Sequence, residues 1–404
     1  VASRPAVARP LKVQTLNSIA LEGLQRFPRD SYEVASDIGA PDALLVRSAS
    51  LHDMVLPPTV LAVARAGAGV NNIPVAALSR QGIPVFNAPG ANANAVKELV
   101  IAGMLLAARN ICPAWRFADG LQLKGAELDQ AVEAGKKQFV GFELPGRTLG
   151  VIGLGAIGVQ VANTALALGM RVIGFDPQIT VERAWQLSAS VRQARTLDEV
   201  FSQSDLLTVH VPLLEATRGL VGPARLRLMP KHAAVLNFSR AEIVDEQAVV
   251  AALDDGHLSA YVCDFPSATL QGNPRVVALP HLGASTVEAE ANCAVMVVDN
   301  LRDYLENGTI RHAVNFPDAE LPGVGAWRIT IANANVPNMV GRISSCLGDA
   351  GLNIADLLNK SRGELAYTIV DLDGPVPAAT FQQIRSIEGV LLARDLGRRP
   401  AAPG

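Results

Sequence analysis

Apolar positions along this chain fall into short runs separated by longer amphipathic stretches, the pattern of strands alternating with helices around a parallel sheet. Between residues 11 and 100, LKVQTL, DALLVRS, ARAGAGV and IPVFNAP read as strand-then-loop pieces, and KELVIAGMLLAARN from about residue 97 reads as a strongly apolar helix. Residues 110–147 hold a long amphipathic segment and a polar loop ending in Pro145-Gly146-Arg147. Further strands are predicted at 148–154, 171–175, 205–211, 233–238, 259–263 and 275–279, and a helix at 286–307 is stopped by Asn307-Gly308. After a Pro/Gly-bearing linker at 317–325 the pattern changes to β, α, β, β, α, β.

The densest information lies in TLGVIGLGAIGVQVANTALALGMRVIGFD, residues 148–176. An apolar strand leads into Gly153, Gly155 and Gly158 at the spacing G-x-G-x-x-G. A helix with apolar residues at 157, 161, 165 and 168 follows, and a second strand ends at Asp176. The first glycine makes a tight turn, the second lets a pyrophosphate reach the backbone, and the third lets helix and strand pack closely. The helix start, Ala156-Ile157, presents free N–H groups to that pyrophosphate. Asp176 suits a ribose diol and repels a 2′-phosphate, and Pro177 stands where an arginine would serve NADP, so the cofactor expected is NAD.

Because this nucleotide fold begins mid-chain, the block before it forms a separate domain. The fold class expected is α/β, with two Rossmann-like doubly wound parallel-sheet domains and a C-terminal βαββαβ, ferredoxin-like α+β domain. The expected boundaries are 1–94 with 283–316 for a discontinuous substrate-binding domain and 95–282 for the NAD-binding domain. A linker at 317–326, the C-terminal module at 327–396 and a tail at 397–404 complete the division. Ligands in such sheets bind beyond the carboxyl ends of the strands.

Composition narrows the class. Of 404 residues, 49% are hydrophobic and only 18% charged, which suits packed cores. A net charge of −3 gives no general nucleic-acid surface. The four scattered cysteines form no C-x-x-C pair, so neither a disulfide framework nor a metal site is expected, and a cytoplasmic location fits. No apolar run reaches the ~18 residues of a membrane helix. Arg4 and Arg9 precede no apolar segment of the signal-peptide kind, and a start without Met reads as a processed one.

Several segments occur in an order that resembles the D-isomer-specific 2-hydroxyacid dehydrogenases: RAGAGVNNI (65–73), FNAPGANANAVKE (86–98), the nucleotide fingerprint, HVPLLEATRGLV (210–221), NFSRAEIVDEQAV (237–249), CDFP (263–266) and PHLGAST (280–286). The C-terminal module resembles the ACT domain, a small-molecule sensor that usually pairs with a copy of itself. Together the two resemblances imply oxidation of 3-phosphoglycerate to 3-phosphohydroxypyruvate, opening serine synthesis, in a homodimer or homotetramer.

The resemblance also implies roles. Oxidising a 2-hydroxy acid needs a group that takes the hydroxyl proton, a cation on the carboxylate, and a hydride acceptor. His281, with an ordinary pKa near neutrality, is the expected acid–base. Arg240, with its planar fork, is the expected carboxylate clamp. The family places a carboxylate, which orients the histidine, where this chain has Thr269, and no Asp or Glu occurs from 265 to 280. Without it the imidazolium is less stabilised, and slower activity with a shifted pH optimum is expected. Arg47, Ser48, Asn71 and Asn72 are expected at the substrate. Phe238, Ser239, Asp264, His281, Gly283 and Ala284 are expected at the cofactor, Asp264 at its nicotinamide, and His210 and Pro212 near adenine. In the ACT-like module, Asn333, Asn335 and Asn353 match positions that bind serine, with Asn338 where many such modules have glycine. A pure dimerisation surface is the alternative for that module. Reduction of hydroxypyruvate or glyoxylate, erythronate 4-phosphate oxidation, and a non-catalytic NAD-sensing role are the alternatives for the whole.

Overall fold

In a computed structural model of the chain, residues 9–323 and 326–398 are described. Arg4, residues 324–325 of the expected linker and residues 399–404 of the expected tail lie outside them. The chain divides into two compact units, one of residues up to Asn92 together with those from Glu290 onward, the other Ala93–Ala289.

The first unit contains a parallel sheet of β1 (Leu11–Leu16), β2 (Tyr32–Ala35), β3 (Ala43–Val46), β4 (Ala62–Arg65) and β5 (Val85–Phe86), in the order β2-β1-β3-β4-β5. The order reverses between β1 and β3, and ligands of such sheets bind beyond the carboxyl ends at that point. The helix Val287–Asn307 packs on this sheet: Val297, Leu301, Tyr304 and Leu305 share a core with Val13, Leu45, Ala64 and Phe86.

The second unit is built on a seven-stranded parallel sheet. Its strands are β6 (Thr148–Ile152), β7 (Arg171–Phe175), β8 (Arg192–Gln193), β9 (Leu206–Val209), β10 (Ala233–Asn237), β11 (Leu258–Cys263) and β12 (Val276–Ala278). Their order is β12-β11-β10-β9-β6-β7-β8, reversing between β6 and β9. The strands β2 and β8 escape the periodicity because both are short edge strands, and both residues of β8 are exposed. The helix expected from residue 97 begins at Ala93, since Ala93, Ala95 and Val96 are already buried.

The C-terminal part of the first unit has the expected βαββαβ order, with β13 (Trp327–Ala334), β14 (Ile354–Arg362), β15 (Leu365–Leu372) and β16 (Val390–Arg398) in an antiparallel sheet β14-β15-β13-β16. Successive side chains of a strand point to opposite faces, and here both faces are covered. Ile329, Ile331, Val370 and Leu372 pack under the helices Met339–Asp349 and Ala378–Arg385. Ala332, Tyr367 and Ile369 join the core formed with the helix Val287–Asn307.

The second face also caps that helix. The last carbonyls of a helix lack partners and carry its negative dipole end. Arg394 donates from Nη1 to the Tyr304 carbonyl (2.9 Å) and from Nη2 to the Leu305 carbonyl (2.8 Å), with its guanidinium 4.4 Å from the centre of the Tyr304 ring. The fully buried Arg328 pairs through Nε and Nη2 with Asp371 (2.5 and 2.7 Å) and donates to the carbonyls of Asn307 and Leu321 (3.0 and 2.9 Å). The Tyr367 hydroxyl donates to the carbonyl of Gly308 (2.8 Å), whose φ of +70° ends the helix.

Candidate active site

In the second unit, every predicted residue sits just past the carboxyl end of a strand. After β6, Gly153 adopts φ +90°, and a Cβ there would lie 2.6 Å from the His210 carbonyl oxygen. At Gly158 a Cβ would meet the Gly153 carbonyl oxygen at 1.9 Å, so only glycine lets the helix Ala156–Ala167 start there. A Cβ at Gly155 would meet nothing within 4 Å, which leaves its backbone open to an approaching group. The turn therefore fits a dinucleotide: two glycines build it and the third faces open space. Ala156 and Ile157 form the first residues of the helix behind it.

Asp176 follows β7. Its Oδ2 accepts the Leu154 N–H and its Oδ1 the Gln178 N–H, both at 2.8 Å, which holds the carboxylate against the glycine turn. Each oxygen keeps a lone pair for a ribose hydroxyl.

His210 follows β9. Its Nε2 lies 3.0 Å from Thr208 Oγ1, while its buried Nδ1 has no partner. Burial pushes the imidazole down to about 3, so the ring is neutral at physiological pH. The unfolded chain binds a proton at its ordinary pKa near 6.5 and the folded chain does not until about 3. Stability therefore falls as pH drops through that window, by about 1.4 kcal/mol per pH unit. Denaturant midpoints measured from pH 7 to pH 4.5 are expected to fall more steeply for the natural chain than for His210→Asn, and equal slopes would refute the assignment. Pro212 is exposed, and its carbonyl accepts the Thr217 hydroxyl at 2.6 Å.

Arg240 is presented by a turn after β10. Asn237, fully buried, donates to the Arg240 carbonyl (2.9 Å) and accepts the Ser239 N–H (3.1 Å). Ser239 donates its hydroxyl to the Val209 carbonyl (2.6 Å), and Phe238 is buried. The exposed guanidinium of Arg240 makes one backbone contact, from Nη1 to the Ser239 carbonyl.

His281 closes the row after β12, in the left-handed region at φ +58°. Its N–H lies within hydrogen-bond distance of the Asp264 and Leu279 carbonyls (3.1 and 3.0 Å). The buried Asp264 carboxylate takes the next two N–H groups, Leu282 and Gly283, each at 2.7 Å. Asp264 thus clamps the loop that carries the histidine, with Ala284 half-buried just behind. The imidazole itself is exposed, and among the described residues it has no carboxylate partner. It meets the Phe265 ring edge-on, 5.3 Å between centres at 68°. Thr269 is exposed. The carboxylate of the neighbouring Glu246 accepts the Ser267 hydroxyl at 2.6 Å.

In the first unit, Arg47 and Ser48 follow β3 at the strand-order reversal. Asn17, after β1 and at φ +71°, accepts the N–H groups of Ser48 (3.2 Å) and Ala49 (2.5 Å). Asn72 grips the same loop from the carbonyl side, donating to Arg47 (3.4 Å) and Ala49 (2.8 Å). Its amide nitrogen therefore holds the loop, and its buried Oδ1 has no partner. Asn71 is exposed, and its carbonyl lies 2.9 Å from the His52 ring. Arg65 is a further cation that the sequence reading passed over although it opens RAGAGVNNI. Its Nε donates to the Arg47 carbonyl (3.1 Å), in space that a side chain at residue 67 would fill.

A cavity of about 140 Å³ at the end of β13 is lined by Asn333, Asn335, Asn338 and Asn359 among others. Asn338 takes φ +63° at the start of the following helix. Asn353 is not among the residues that line this cavity. It stands at the start of β14, paired with Asp373, and six residues of strand, roughly 20 Å, separate it from Asn359. Asn359, which the cavity does include, donates to Thr368 (2.7 Å).

Comparison with known proteins follows these lines. Residues 101–283 match the D-isomer specific 2-hydroxyacid dehydrogenase, NAD binding domain family. A D-3-phosphoglycerate dehydrogenase of Methanocaldococcus jannaschii is 36% identical over 349 residues, covering 84% of this chain and 63% of that protein. One from Haemophilus influenzae is 32% identical over 351 residues, covering 84% and 82%. The NAD+-bound 3-phosphoglycerate dehydrogenase structure from Entamoeba histolytica is 25% identical with a TM-score of 0.60, covering 76% of this chain and 99% of that one. The chain thus spans 63% of the length of the first of these relatives.

Proposed function

The chain belongs to the D-isomer-specific 2-hydroxyacid dehydrogenases, and from that premise we propose that it oxidises 3-phospho-D-glycerate to 3-phosphohydroxypyruvate with NAD, the entry to serine synthesis. The observation that carries this reading is the row of strand-end residues in the second unit, where an exposed His281 and an exposed Arg240 share the sheet edge that holds the glycine turn. Gly153, Gly155, Gly158 and Asp176 would hold the dinucleotide, which supplies a hydride acceptor. His281 takes the C2 hydroxyl proton on a ring nitrogen. Arg240 offers its remaining N–H groups to the carboxylate and to the oxygen becoming a carbonyl. Arg47 and Arg65, at the strand ends of the first unit, offer charge to the phosphate.

NADH absorbance tests this directly. Phosphoglycerate with NAD is expected to give NADH, and erythronate 4-phosphate far less, with little reduction of glyoxylate or hydroxypyruvate. Preference for a non-phosphorylated acid would overturn the substrate assignment. NAD binding without turnover of any of these acids would leave an NAD-sensing protein.

The asparagine-lined cavity supports L-serine as an effector, since amides suit an amino acid's carboxylate and ammonium without a fixed charge. Millimolar serine is expected to raise the melting midpoint and lower the rate, and Asn359→Ala to remove both effects. Unchanged values in the natural chain would leave the module without this ligand. Assembly with a second copy is supported by the helix Ile111–Asp119, where Ile111 and Trp115, one turn apart, are exposed and no residue is buried. Sedimentation is expected to report a dimer or tetramer, and a monomer would refute it. Among the described residues no helix is long and apolar enough to cross a membrane, which is compatible with work in the cytoplasm.

A further inference from the structure

We propose that Glu290 is a built-in competitor of the substrate's anionic end for Arg47, and so sets the affinity for that substrate. The inference rests on the reading of Arg47 as a substrate-binding cation. Arg47 stands at the carboxyl end of β3, beside the point where the strand order reverses, which is where ligands of such sheets bind. Its loop is held from both sides, by Asn17 on the N–H groups and Asn72 on the carbonyls. A backbone anchored so closely fixes where the Arg47 side chain leaves the loop.

That guanidinium is not waiting empty-handed. Its Nη2 makes a short charge-assisted hydrogen bond to Glu290 Oε1. Glu290 comes from the first turns of the helix Val287–Asn307, 243 residues away in sequence. Arg65 is close by through its bond to the Arg47 carbonyl. Arg65, Arg47 and Glu290 all lie close enough to the buried Cys293 thiol to act on its titration. Arg47, Arg65 and Glu290 therefore lie together in this corner.

Exposure decides what the pair does. The side chains of Arg47 and Glu290 are 37% and 36% exposed, and an ion pair so open to water contributes little to stability. An arriving phosphate or carboxylate can take over the Arg47 donors at small cost. Glu290 then stays nearby as a like charge, and repels the anion that displaced it. A pair of this kind prevents two arginines from repelling each other in the free protein, and it weakens binding of any single anion. A unit charge a few ångströms from the ligand in partly screened surroundings changes affinity on the order of tenfold.

The test uses the full chain and its Glu290→Gln variant. The Gln variant is expected to lower KM for phosphoglycerate about tenfold, with kcat within about twofold of the natural chain. The affinity for inorganic phosphate, read by calorimetry, should rise in parallel. Glu290→Asp, which keeps the charge, should stay near the natural values. Should the Gln variant fail to fold, Glu290→Ala carries the same expectation. An unchanged or higher KM together with unchanged or weaker phosphate binding would overturn the proposal while leaving the dehydrogenase reading standing. If the natural chain turns over no phosphoglycerate, that reading fails, and the phosphate titration alone decides the role of Glu290.

Discussion

If His281 is the proposed acid–base, replacing it by Asn is expected to lower kcat for the proposed phosphoglycerate oxidation by a factor of about 10²–10⁴, the usual contribution of a positioned acid–base, while the fold and NAD binding stay intact. Asn is the informative substitution because residue 281 sits at φ +58°. Asparagine tolerates that conformation, whereas most other side chains add backbone strain to the loss of the base. The Asp264 clamp acts on the N–H groups of Leu282 and Gly283, not on the imidazole, so it survives the change. Steady-state rates with the melting midpoint and NAD affinity as controls give the answer. A loss of less than tenfold, with the fold intact, would place the proton acceptor elsewhere.

Breaking the buried ion pair of the C-terminal sheet has the largest expected effect on stability. Arg328→Met removes the guanidinium that pairs with the fully buried Asp371 carboxylate, and with it donors to the Asn307 and Leu321 carbonyls. Uncovering one member of such a pair costs about 3–5 kcal/mol. The double change Arg328→Met with Asp371→Leu removes the buried negative charge as well and is expected to recover most of the loss. Denaturant midpoints of the two variants settle this. Equal destabilisation of single and double variants would mean that the carbonyl caps, not the carboxylate, carry the effect. The pair lies where β13 and β15 meet the end of the helix Val287–Asn307, so the first unit should lose cooperativity along with stability.

How much of this could be read beforehand varies residue by residue. The glycine turn was legible because its parts are contiguous: strand, turn, helix and acid lie within 148–176, and the close approach of Gly158 to the Gly153 carbonyl arises within that stretch, whereas the crowding of Gly153 by the His210 carbonyl needed the fold. The βαββαβ order of the C-terminal module was legible for the same reason. The edge strands β2 and β8 were not: β8 is two exposed residues, and in β2 only Tyr32 is fully buried. The sequence also showed that no carboxylate stands at position 269. What meets His281 instead, the edge of Phe265, became visible only with the loop in place.

The amino-acid sequence by itself determined the alternation of strands and helices, the dinucleotide turn, and the residue types that end the strands, because each depends on periodicity or sterics within a few tens of residues. Tertiary structure alone decided the pairings. Arg47 meets Glu290 across 243 positions, Arg328 and Arg394 cap a helix from a sheet that follows it, and Asn17 and Asn72 close on one loop from opposite sides. Such contacts depend on how packed layers bring distant segments together, and local pattern carries no record of that distance.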